Sequence, residues 1–181
     1  MKELYVCFTP YHMLLCSCIA SDREDDIDKE IIIIEDFLEA DRIIDVLRRW
    51  EENPFDDHIM VKGKFSVDEI PEKSMLNVLK DDSVVNVLKE GIDTLKDRYG
   101  DVPLDTVFTC NDERPQSQFL EYRCKKNGGL NVYVEDGSEL YNDSFEEPLP
   151  FHESVFYKMY YGRWYEKIRL IGDYRYTDEI K

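Results

Sequence analysis

Apolar positions fall along this chain in short blocks, each followed by a longer amphipathic stretch. Residues 4–8 are an apolar run closed by Thr9 and Pro10, the pattern of a buried strand. Pro10 cannot extend a strand, but it fits the first turn of a helix, with Thr9 as N-cap. Residues 11–21 carry Met13, Leu14, Leu15, Ile19 and Ala20 on a broad face, which predicts that helix. An acidic loop follows. Within residues 30–35, Ile31, Ile32, Ile33 and Ile34 stand in a row, as in a strand buried on both faces of a parallel sheet. Residues 36–52 read as a helix with Phe37, Ala40, Ile43, Ile44 and Leu47 on one side and charges on the other.

The alternation continues. Residues 58–61 read as a third strand, 62–73 as loop and 74–99 as one or two helices closed by Gly100. Residues 106–110 read as a fourth strand, 115–127 as a helix and 130–134 as a fifth strand. Strand and helix repeated in this way predict an α/β, doubly wound, mostly parallel sheet of Rossmann-like type. Residues 151–181 differ in holding nine of the 23 aromatic side chains. Phe156, Tyr160 and Trp164 are spaced by four, so a helix carrying an aromatic stripe is expected. That stripe either folds back on the sheet or meets a second domain or subunit.

Composition narrows the function classes. With 23 Lys+Arg against 40 Asp+Glu, the net charge of −17 disfavours nucleic acid as a partner, and no basic stripe interrupts it. The plain reading of the acid excess is a solvated surface. No apolar run is long enough for a membrane span, and the N-terminal stretch does not read as a secretory leader. Cys7, Cys16, Cys18, Cys110 and Cys124 lack metal-ligand spacing and read as small hydrophobes of a reducing cytoplasm.

Open parallel sheets bind ligands beyond the carboxyl ends of their strands. Three polar clusters fall at such ends. Thr9 to His12 follow the first strand, Asn111 to Arg114 the fourth, and Glu135, Asp136, Gly137 and Ser138 the fifth. Adjacent carboxylates at a strand end repel one another, and one can take a proton from a hydroxyl nucleophile. The same four residues also suit a plain Asp-Gly turn. His12 reads either as a capped structural residue or as a group binding an anion or a sugar hydroxyl. Asp112 and Arg114 read either as a mutual ion pair or cap, or as ligand-binding groups.

The run Val6-Cys7-Phe8-Thr9-Pro10-Tyr11-His12-Met13-Leu14-Leu15 resembles the start of bacterial sialyltransferases of glycosyltransferase family 52 and of the related capsular polysialyltransferases. Cys110 to Arg114, with Gln116 and Gln118 on the helix beyond, resembles their next turn. Val134-Glu135-Asp136-Gly137 resembles the acidic-acidic-Gly motif of several bacterial sialyltransferase families. The segment Tyr161 to Tyr165, and then Leu170 to Gly172, is similar to the one leading into their second domain.

The resemblance implies one half of a two-domain, metal-independent GT-B glycosyltransferase without a cofactor. Residues 1–150 would be the acceptor-side domain, and residues 151–181 a helical tail or linker toward a C-terminal donor-binding domain. The donor implied is CMP-sialic acid, the acceptor a glycan, and the setting polysaccharide biosynthesis in the cytoplasm, peripheral to the inner face of the membrane. None of His12, His58 and His152 precedes a proline, so the His-Pro motif of the donor half is not matched. Carried over by position, Asp136 is the general base and Glu135 tunes it. Thr9, His12, Asn111, Asp112, Gly137 and Ser138 line the acceptor side. A homodimer is compatible with the aromatic tail. Two other readings stay open: a glycosyltransferase using another sugar nucleotide, and a standalone α/β binding domain.

Overall fold

The computed structural model describes residues 1–63, 82–137, 151–168 and 172–181. Ser138, and the expected loop and helix start at 64–81, lie outside the described residues. Along the described chain run β1 (Lys2–Cys7), α1 (Pro10–Ser21), β2 (Asp28–Ile34), α2 (Ala40–Arg49) and β3 (Asp57–Val61). They are followed by α3 (Asp82–Tyr99), β4 (Thr106–Thr109), α4 (Pro115–Lys126), β5 (Leu130–Tyr133), α5 (Phe151–Tyr160) and β6 (Glu179–Ile180).

The strands form one six-stranded sheet in the order β3-β2-β1-β4-β5-β6, and every adjacent pair is parallel. The chain winds outward from β1 to β3, then crosses back to lay β4 on the other side of β1. The winding direction therefore reverses between β1 and β4, the switch point of a doubly wound α/β fold.

Alternation along the strands builds two cores. Leu4, Val6, Ile32 and Ile34 face α3 and α4. Tyr5, Cys7, Ile31 and Ile33 face α1 and α2. The four consecutive isoleucines thus serve both layers, as the sequence led us to expect. Tyr5 stacks on Phe108 with centroids 4.7 Å apart, which ties β1 to β4 on the second face.

Buried charge is concentrated at the amino ends of the strands. Glu3 meets Arg23, Glu30 meets Lys2 and Arg98, and Lys29 donates to the last carbonyls around the end of α1. These ion pairs tie the amino ends of β1 and β2 to α1 and α3.

Three expectations are corrected. The second helix starts at Ala40 rather than at residue 36, because Glu39 takes a left-handed conformation (φ 64°) at its cap. The aromatic helix stops at Tyr160, so Trp164 is not on its stripe; it packs instead against Phe119 of α4 at 5.7 Å. The sixth strand had no counterpart in the pattern. Residues 161–168 and 172–181 return to the same sheet, with Tyr161 and Trp164 in the α3–α4 core and β6 paired to β5.

Candidate active site

The link from β1 to α1 is only Phe8 and Thr9. Thr9 is extended (φ −145°, ψ 161°), and its Oγ1 accepts the N–H of His12 at 3.1 Å, while Pro10 occupies the first turn. This is a side-chain N-cap, with the proline where its missing N–H costs nothing. It turns His12 inward, so that its side chain is only 5% exposed. The Phe8 N–H donates to Nδ1 of the ring at 3.2 Å. Nδ1 is therefore the unprotonated nitrogen and Nε2 carries the hydrogen, a tautomer that follows from the hydrogen bonds.

Nε2 lies 2.6 Å from Oδ2 of Asp136, which is 124 positions away in sequence. Asp136 follows β5, His12 follows β1, and β4 lies between those strands. The contact thus spans the switch point at the carboxyl edge of the sheet. Among the described residues, Oδ1 of Asp136 has no partner, and the Asp136 side chain is 22% exposed. Gly137 follows with φ 128°, a region that disfavours a side chain, and a Cβ placed there would meet nothing within 4 Å.

Thiols lie beneath this edge. Cys16 and Cys110 sit 3.9 Å apart, and both are buried. The Cys16 contact, then burial, push the Cys110 thiol up, and the Asp136 charge acts in the same direction. Cys110 is accordingly a neutral thiol. Cys7, Cys16, Cys110 and Cys124 are buried, as expected of small hydrophobes, but Cys18 is exposed.

The cluster after β4 is occupied differently. Asp112 is fully buried. Its carboxylate accepts the Gly172 N–H at 2.9 and 3.0 Å and the Tyr174 N–H at 3.1 Å. Burial is the main influence on this carboxyl and lifts it to about 6, against the pull of those N–H groups. Arg114 does not pair with Asp112. It reaches Asp36, beyond β2, at 3.4 Å. Asn111 closes a local turn, its Oδ1 accepting the Glu113 N–H at 3.1 Å.

Gln118, on the helix after the Cys110–Arg114 turn, is fully buried. Its amide donates to the carbonyls of Asp112 and Glu166 at 2.8 and 2.7 Å, and its oxygen accepts the Glu166 N–H at 2.9 Å. An amide buried on the inner side of a short helix is the sequence signal for such a tie.

The C-terminal segment ends beside the site. Lys181 donates its N–H to the Tyr133 carbonyl at 2.9 Å, and its own carbonyl accepts the Glu135 N–H at 2.7 Å. The strand end that delivers Asp136 is held from one side by β4 and from the other by this return. The structure thus brings Thr9, His12, Asp136 and Gly137 to one edge, directs Asp112 and Asn111 into local scaffolding, and leaves Glu135 half-exposed beside Asp136.

Among the described residues, no group of three or more His, Cys, Asp or Glu side chains is arranged to hold a metal ion. None of their helices is long and apolar enough to cross a membrane. No protein-family model and no curated protein matches the chain.

Proposed function

We propose that this chain is the acceptor-side half of a sialyltransferase-like, GT-B type glycosyltransferase, with Asp136 as the general base. One observation carries the reading. A partly exposed carboxylate at the switch-point edge is gripped through one oxygen by a buried histidine, and its other oxygen has no partner among the described residues. In the step proposed, Asp136 takes the proton of an acceptor hydroxyl as that oxygen attacks C2 of CMP-sialic acid. The C2–O bond to the phosphate breaks, CMP leaves with the electron pair, and the configuration at C2 inverts. The donor is bound by a second domain, in keeping with the net charge of −17 on this one, which would repel an anionic nucleotide. Glu135 tunes the base, and Thr9 and Gly137 border the acceptor. The setting that goes with this reading is cytoplasmic polysaccharide synthesis at the inner face of a membrane.

The test is CMP release by the protein encoded by the complete gene, with CMP-sialic acid and an oligosaccharide acceptor. Asp136→Asn should lower turnover by ~10²–10⁴-fold, the usual worth of a placed base, and leave CMP binding intact. Near-wild-type turnover in that variant overturns the assignment. Transfer from a different sugar nucleotide would move the protein to another donor class, and no transfer from any would make it a binding domain.

A further inference from the structure

The His12–Asp136 pair can work in two ways. Histidine can be the base with aspartate orienting it, or aspartate can be the base with histidine holding it. The geometry points to the second, and we propose that His12 is a positioning residue that fixes Asp136 without accepting the substrate proton. This rests on the reading of Asp136 as the base.

Both ring nitrogens of His12 are engaged. Nδ1 accepts the Phe8 N–H at 3.2 Å, and Nε2 donates to Asp136 Oδ2 at 2.6 Å. A substrate hydroxyl has no free ring nitrogen to approach, and the side chain is 5% exposed, against 22% for Asp136. A hydrogen on Nδ1 would face the Phe8 N–H donor to donor, so the ring's tautomer is set by its own strand–helix junction.

That junction is local. Phe8 holds the ring, Thr9 holds the His12 backbone, and Pro10 sets the turn. The Phe8 ring also meets the imidazole edge-on at 6.3 Å. A single N–H is thereby aimed at one oxygen of a carboxylate that arrives from the far side of β4. It fixes the rotation of that carboxylate and leaves Oδ1 to take the proton.

A neutral donor can be imitated by an amide, and a base cannot. In the protein from the complete gene, CMP release is measured for wild type, His12→Gln, His12→Ala and Asp136→Asn. His12→Gln should stay within ~10-fold of wild type, and His12→Ala should lose ~10–100-fold in kcat with little change in acceptor KM, as expected for one charge-assisted hydrogen bond. Long-range ¹H–¹⁵N spectra of the His12 ring should show Nδ1 unprotonated and Nε2–H present in wild type. The Nε2–H signal should move in Asp136→Asn while Nδ1 stays unprotonated. His12→Gln as inactive as Asp136→Asn, or a ring protonated at Nδ1, overturns the proposal. If wild type releases no CMP, the transferase reading fails, and the ring spectra alone decide whether His12 holds Asp136 as described.

Discussion

Asp112 accepts the backbone N–H of Tyr174 at 3.1 Å across 62 positions of sequence. With the two contacts from Gly172, it clamps the C-terminal segment to the end of β4. Asp112→Asn would set an NH₂ group against donors and should cost about 1–3 kcal/mol. Denaturant melts read that loss, and amide exchange should quicken mainly over 172–181. The loss should also depend on pH. Burial lifts the carboxyl from 3.8 to about 6, so the folded state holds its proton more tightly. Its stabilisation is therefore complete below the ordinary value and is lost as pH rises through about 6. The stability gap between wild type and Asp112→Asn should therefore narrow steadily as pH rises from about 4 to about 7. A flat or widening gap would show that the carboxyl is not raised.

Glu121 is the second acid under this segment, with 0% exposure. Its two oxygens find no well-aligned hydrogen bond among the described residues, although the Thr177 hydroxyl faces it. Burial first, and the Asp112 charge second, hold this carboxyl well above its usual range. Glu121→Met should raise stability by about 1 kcal/mol, because an apolar side chain of similar volume carries no desolvation penalty. The gain should be larger on the alkaline side, where the wild type loses stability as pH rises through the raised pKa. Thermal melts across a pH series test both.

Gly129 lies where α4 turns into β5. A Cβ there would fall 2.5 Å from the Cys124 sulfur, 2.5 Å from the Leu104 carbonyl oxygen and 2.8 Å from that of Asp105. Two of these neighbours are backbone and cannot swing aside. Gly129→Ala should cost about 1–3 kcal/mol by overpacking, measured as a lowered denaturation midpoint. An unchanged midpoint would mean that the loop shifts freely.

The fold class was legible because strand burial is written locally: Ile31 to Ile34 cannot be half-exposed, and Thr9-Pro10 can only end a strand or start a helix. The three polar clusters at strand ends were legible for the same reason. What the sequence could not supply was the order of the strands, which decides that the residues after β1 and β5 meet. Only the resemblance put His12 and Asp136 in one site; their direct contact exists because β1 and β5 flank β4 and end at the same edge of the sheet. Asp112 looked like its neighbours in the other clusters, and only the return of Gly172 and Tyr174 shows why its carboxylate turns inward. β6 was hidden because a strand of two residues has no periodicity of its own and depends on the edge of β5.

That return of the chain has a practical consequence. Lys181 is hydrogen-bonded to Glu135, one residue from the carboxylate, whereas Met1 precedes β1 at the opposite end of the sheet. A spectroscopic label carried on the side chain at position 181 would therefore stand beside the strand end that bears Asp136. The same label at position 1 would ride beside the ion-paired ends of the strands, at the far side of the sheet from His12 and Asp136.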